Sequence, residues 1–253
     1  MKNFKVVSCL MNNQKTACSI DMDTICPKKR FTIDCINKGL DLETIDKEKL
    51  MCDYCYVEYK RLIKFNAKIE YDHIGYKGEI KGLSNEQIDF LNSIGGIRLF
   101  SFSDYNPVYN NDLVTMFNDC RNRGLFVKVI TKQVGFIDRF YDEFEDIFSI
   151  IHISIDNRGY GVNWKTAIDY RSKYEKVIIR SVILNMDDIE IMDKLSDIMT
   201  FNHENLKKRI PGSINFNANK KLFNELKEKY SSKMCCQETT CEKCPIKCKA
   251  TNV

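Results

Sequence analysis

The chain has 253 residues, 43% of them apolar and 29% charged, a globular balance that excludes wholesale disorder. Lys and Arg total 39 against 35 Asp and Glu, a net charge of +4, which is too even for a general polyanion binder. No run approaches the ~18 uninterrupted apolar residues of a membrane helix, and the first ten residues lack the apolar core of a signal peptide, so a cytoplasmic chain with no membrane partner is expected.

In chain order, residues 4–8 read as a first strand. Six of the twelve cysteines then fall in the first 55 residues: Cys9, Cys18, Cys26, Cys35, Cys52 and Cys55. In a reducing compartment such thiols read as metal ligands or catalytic groups rather than disulfides. The segment 41–50 is charged and loop-like. Cys52 and Cys55 form C-x2-C, a spacing that lets two thiolates grip one metal centre, ahead of an expected helix through Lys60, Leu62 and Ile63.

The middle of the chain alternates two periods. β-rich runs at 97–102, 125–130, 148–155 and 177–184 read as strands, with weaker ones at 198–201 and 214–216. Between them Leu113, Phe117 and Cys120 fall at helical spacing, with Gly124 as the stop. Ile137, Phe140, Phe144 and Ile147 make a second apolar stripe; Ile191, Leu195 and Ile198 make a third, with Asp187 and Asp188 as N-cap candidates. Leu222, Leu226 and Tyr230 make the last.

The main strand starts, 97, 125, 148 and 177, are spaced for a strand, a loop and a helix per unit, as parallel strands require. A full eight-unit barrel takes ~250 residues. With the cysteine regions set aside, five or six units remain, so the expected fold is α/β: a partial (β/α)6-type TIM barrel over 1–230, with an N-terminal cluster-binding loop and a Cys-rich extension over 231–253. Ligands bind at the carboxyl edge of such sheets. Polar residues follow the runs there: Ser103, Asp104 and Asn106; Thr131, Lys132 and Gln133; Ser154, Asp156 and Asn157; Asn185; Asn202 and His203.

The tail from Cys236 reads C-x4-C-x2-C-x3-C through Cys241, Cys244 and Cys248, with Cys235 or Cys236 to spare. This is a metal-site spacing, suited to an iron–sulfur cluster or closed zinc. His152 and Cys120 read as core residues, and the eight basic residues over 205–233 against Glu225 and Glu228 as a solvated face. No P-loop, dinucleotide-binding glycine set or Ser/His hydrolase motif stands out, and no catalytic residue is identified.

Cys52-Asp53-Tyr54-Cys55 ahead of a β/α series resembles the second half of the radical SAM motif C-x3-C-x2-C, whose three thiolates hold a 4Fe-4S cluster with one iron open to S-adenosylmethionine. Position 48 is Glu, so the first cysteine of the motif departs from the family spacing. Cys26, in Thr24-Ile25-Cys26-Pro27, is the preferred third ligand, as in phage-encoded relatives with a similar Thr-Cys-Pro; Cys35 is the alternative. Val129-Ile130-Thr131-Lys132 is similar to a strand end of the spore photoproduct lyase branch, where the Lys and a following Ser help hold the methionine moiety. The resemblance implies Cys26, Cys52 and Cys55 on the cluster, and Tyr54, Ser103, Asp104, Lys132 and Ser154 around S-adenosylmethionine. It implies reductive cleavage to a 5′-deoxyadenosyl radical that abstracts hydrogen from a substrate, an electron donor such as flavodoxin or ferredoxin, and a second 4Fe-4S cluster or zinc on the tail cysteines. The substrate class stays open between nucleic acid, peptide and small molecule. The alternative is a non-catalytic zinc-binding module contacting nucleic acid; a thiol oxidoreductase using Cys52 and Cys55 is a third reading.

Overall fold

The computed structural model describes residues 19–20, 26–54, 75–100, 104–202, 206–207 and 210–235. The expected strand at 4–8 and the helix through Lys60 lie outside the described residues.

Among the described residues seven parallel strands lie in chain order, β1 (Ser19–Ile20), β2 (Ile97–Leu99), β3 (Val127–Thr131), β4 (Phe148–Asp156), β5 (Val177–Ile183), β6 (Ile198–Phe201) and β7 (Met234–Cys235). A sheet with no reversal of strand order is not doubly wound. The central strands curl into a half-barrel with helices packed against it. The helices are α1 (Pro27–Asn37), α2 (Asn85–Ser93), α3 (Asn110–Arg123), α4 (Gly135–Phe144), α5 (Trp164–Lys173), α6 (Met186–Leu195) and α7 (Lys220–Lys229).

The helix–sheet core gathers around Phe117 of α3, whose ring lies 5.1–6.1 Å from those of Phe136, Phe140, Phe144 and Phe148. Strand alternation divides β4: Ile151, Ile153 and Ile155 enter this core, which turns His152, Ser154 and Asp156 to the other face. His152 and Cys120 are fully buried, as their sequence positions suggest. Gly124 ends α3 in the left-handed region, at φ 61°.

Several elements differ from expectation. β2 stops at Leu99, because Phe100 turns to φ 64° while its N–H donates to Ile20 O. Asn185, not Asp187 or Asp188, caps α6: its side chain accepts from Asp188 N, and Asp188 answers as the third helical residue of a capping box. The segment 214–216 is not a strand. Ile214 N donates to Leu184 O and Phe216 N to Asn202 O, so it stitches the carboxyl ends of β5 and β6 without forming a ladder. The last ladder instead belongs to Met234–Cys235, which pairs with β6 and buries Met234 in the core. The charged stretch 41–50 folds into two 3-10 turns, Leu42–Thr44 and Lys47–Lys49, capped by Asp41 and Asp46. Among the described residues no helix is long and apolar enough to cross a membrane.

Candidate functional site

The carboxyl ends of β3 and β4 lie side by side, with Thr131 paired to Ile153. Lys132 follows the one strand and Asp156 ends the other. Tyr54 and Cys52 arrive from the segment after the 3-10 turns. The Lys132 ammonium donates to Cys52 Sγ at 3.0 Å and to Asp156 Oδ2 at 3.3 Å, and it contacts the Tyr54 hydroxyl as well. Tyr54 in turn donates to Asp156 Oδ2 at 2.5 Å. The Lys132 and Asp156 side chains are only 14% and 1% exposed, so this is a buried ion pair whose lone pairs and protons are largely satisfied.

Electrostatics follow from that burial. Burial alone would lower the Lys132 ammonium; the facing Cys52 and Asp156 outweigh it and hold it above its ordinary value. Burial pushes Asp156 up, but Lys132, the Tyr54 hydroxyl and the N–H groups of Tyr160 and Arg158 bring it below the usual carboxylate range. The Tyr54 phenol stands well above its ordinary value, first through burial and then through Cys52 and Asp156.

Two further contacts set this geometry. Arg158 donates Nε to Asp53 Oδ2 at 2.8 Å, a clasp that ties the residue between Cys52 and Tyr54 to the loop after β4. That loop folds back closely on the strand, with Val162 N donating to Ser154 O. Gly161 makes the approach possible: a Cβ there would lie 2.7 Å from Ser154 O and from Ile155 Cα.

Asp104 is 7% exposed and engaged by the fold. It accepts from Thr131 Oγ1 at 2.5 Å, Tyr105 N at 2.8 Å and Lys132 N at 3.0 Å. Burial raises its carboxyl above the ordinary value, against the pull of those donors. Asp104 therefore positions Lys132 through its backbone. Ser154 is 5% exposed, on the face it shares with His152 and Asp156.

Of the cysteines, Cys26 is the half-buried N-cap residue of α1, and Cys35 is buried farther along that helix. Lys28, in the first turn, donates to Tyr160 O at 2.9 Å, and the Tyr160 ring meets the edge of Tyr54 at 6.3 Å. The start of α1 is thereby brought to the same mouth as Cys52. Ser103, Cys55, His203, Cys236, Cys241, Cys244 and Cys248 lie outside the described residues. Among the described residues no three His, Cys, Asp or Glu side chains form a metal set.

Sequence reasoning placed Tyr54 and Lys132 individually and Asp156 only as one polar strand end among several. It missed the Asp53–Arg158 clasp and Lys28; neither carries a local signal, because each pairing spans more than a hundred residues. No protein-family model matches the chain, and no curated protein matches it either.

Proposed function

We propose that the chain is a radical S-adenosylmethionine enzyme of the partial TIM-barrel type, in which Cys26, Cys52 and Cys55 hold a 4Fe-4S cluster beside the nucleoside cofactor. The observation that carries the reading is the meeting of Cys52, Tyr54 and Lys132 at the carboxyl edge of a parallel half-barrel. When bound, such a cluster supplies the single electron that cleaves the sulfonium reductively.

The donor set suits that group. Cys26 and Cys52 are both half-buried thiols outside any disulfide, and each belongs to an element that reaches the mouth. Cys35 is buried nine residues further along α1, roughly 13 Å along the helix axis, which favours Cys26 as the third ligand. The Lys132 ammonium lies where negative charge on a ligated Cys52 needs compensation.

Among the protein's own groups, Lys132 orients Cys52 and Tyr54, and Asp156 fixes Lys132. Asp104 sets the backbone at Lys132. Ser154 supplies a buried hydroxyl on the face that a ligand would meet. The packed mouth limits water, which strengthens every charge interaction in it. A flavodoxin- or ferredoxin-type donor would deliver the electron, and Cys236, Cys241, Cys244 and Cys248 would hold a second 4Fe-4S cluster or zinc.

Anaerobic incubation with dithionite and S-adenosylmethionine tests the reading. Protein that is brown, absorbs near ~400 nm, carries about four to eight irons and releases 5′-deoxyadenosine is the expected result. A colourless, zinc-loaded chain that releases none overturns it.

A further inference from the structure

We propose that the first turn of α1 is a phosphate-binding subsite at the mouth of the half-barrel, so that the substrate carries a phosphate group. Lys28 and Lys29 stand next to each other there, and each is only 5% exposed. Lys28 donates to Tyr160 O, a single bond for a group with three protons to give. The Lys29 ammonium is buried and has no hydrogen-bond partner among the described residues. A buried, unpaired charge costs several kcal/mol, so this arrangement calls for an anion.

Position and chemistry narrow the ligand. Both lysines belong to the first turn of α1, just after Cys26, and helical side chains lean toward the N-terminus. The helix runs for 11 residues, so its positive end adds to the same field. The facing carboxyl, Asp104, already accepts from Thr131, Tyr105 and Lys132, and Tyr160 contributes only its carbonyl. Two ammonium groups act as compact point charges with up to six protons to donate, which suits a dianionic phosphate with its several acceptor oxygens. S-adenosylmethionine carries no phosphate, so the subsite belongs to the substrate. Only that last assignment rests on the proposed function.

The test is calorimetric titration of the full chain, purified anaerobically, with inorganic phosphate, and with chloride at matched ionic strength as the control. Saturable binding of phosphate is expected. Lys29→Met should weaken it by about tenfold or more while raising the thermal midpoint, because the substitution removes an uncompensated buried charge. Lys29→Arg should bind phosphate within a few fold of the wild type, and Lys28→Met should weaken binding as Lys29→Met does. Absence of saturable binding, binding indifferent to both Met variants, or a lowered midpoint in Lys29→Met overturns the proposal. The same preparation is assayed for 5′-deoxyadenosine. Phosphate binding without cleavage keeps the subsite and removes the radical reading; cleavage without phosphate binding does the reverse.

Discussion

The Lys132 ammonium lies 3.0 Å from the sulfur of Cys52, across 80 positions of sequence, and the same ammonium reaches the Asp156 carboxylate. One cation thus joins the cysteine segment to the ends of two adjacent strands. Removing it strands a carboxylate that is 1% exposed. Lys132→Met is expected to cost about 3 kcal/mol in chemical denaturation, with Asp156→Asn costing a similar amount. Their effects should be far from additive in a double-mutant cycle. An additive cycle would show that the pair does not couple.

The two cysteines of α1 should separate cleanly. Cys26→Ser is expected to lower bound iron and abolish release of 5′-deoxyadenosine. Cys35→Ser should keep both, and lose about 1–3 kcal/mol because it puts a hydroxyl in a buried site. Iron content measured on both variants decides; iron lost from the Cys35 variant alone would reassign the ligand.

Gly161→Ala tests the loop behind Asp156. The added methyl meets backbone on three sides, including Asp156 N at 2.9 Å, with no flexible side chain to give way. Stability is expected to fall by about 2 kcal/mol or more, read from the denaturation midpoint. Gly124→Ala is a useful contrast: nothing lies within 4 Å of its added methyl, so its cost is only that of a left-handed φ.

Asp104 gives a pH signature of defined sign. Burial raises its folded pKa above the unfolded value of about 3.9. The folded state therefore holds this proton when the unfolded chain has already lost it. Its contribution to stability is greatest below the unfolded pKa and declines as pH rises through the folded pKa. The difference in stability between the wild type and Asp104→Ala should change in that direction as pH rises from the unfolded value. A flat difference would mean that Asp104 ionises as it does in the unfolded chain.

The periodic elements were legible because their signals are local. The Phe140 and Phe144 stripe forms α4, Gly124 stops α3, and β6 spans Ile198–Phe201 as its run suggests. The misreadings arise where distant partners decide. Asp188 looks like a cap by residue type, but the first unsatisfied N–H groups of α6 fall one turn earlier, at Asn185. The run 214–216 is apolar enough for a strand, yet the ladder position beside β6 goes to Met234–Cys235. At the site, the residue types at the strand ends were visible, but the role of Asp104 was not. Its acceptors are used by Thr131, Tyr105 and Lys132 once β2 and β3 lie together.

The sheet is unevenly knit: β4 and β5 share six register pairs, whereas β1 and β7 are each held by two. Amide protons should therefore exchange slowest along the β4–β5 seam and fastest at the two margins, which open before the molecule unravels as a whole. Asp156 sits on the slow seam, so the half of the cluster it anchors belongs to the last cooperative unit to come apart.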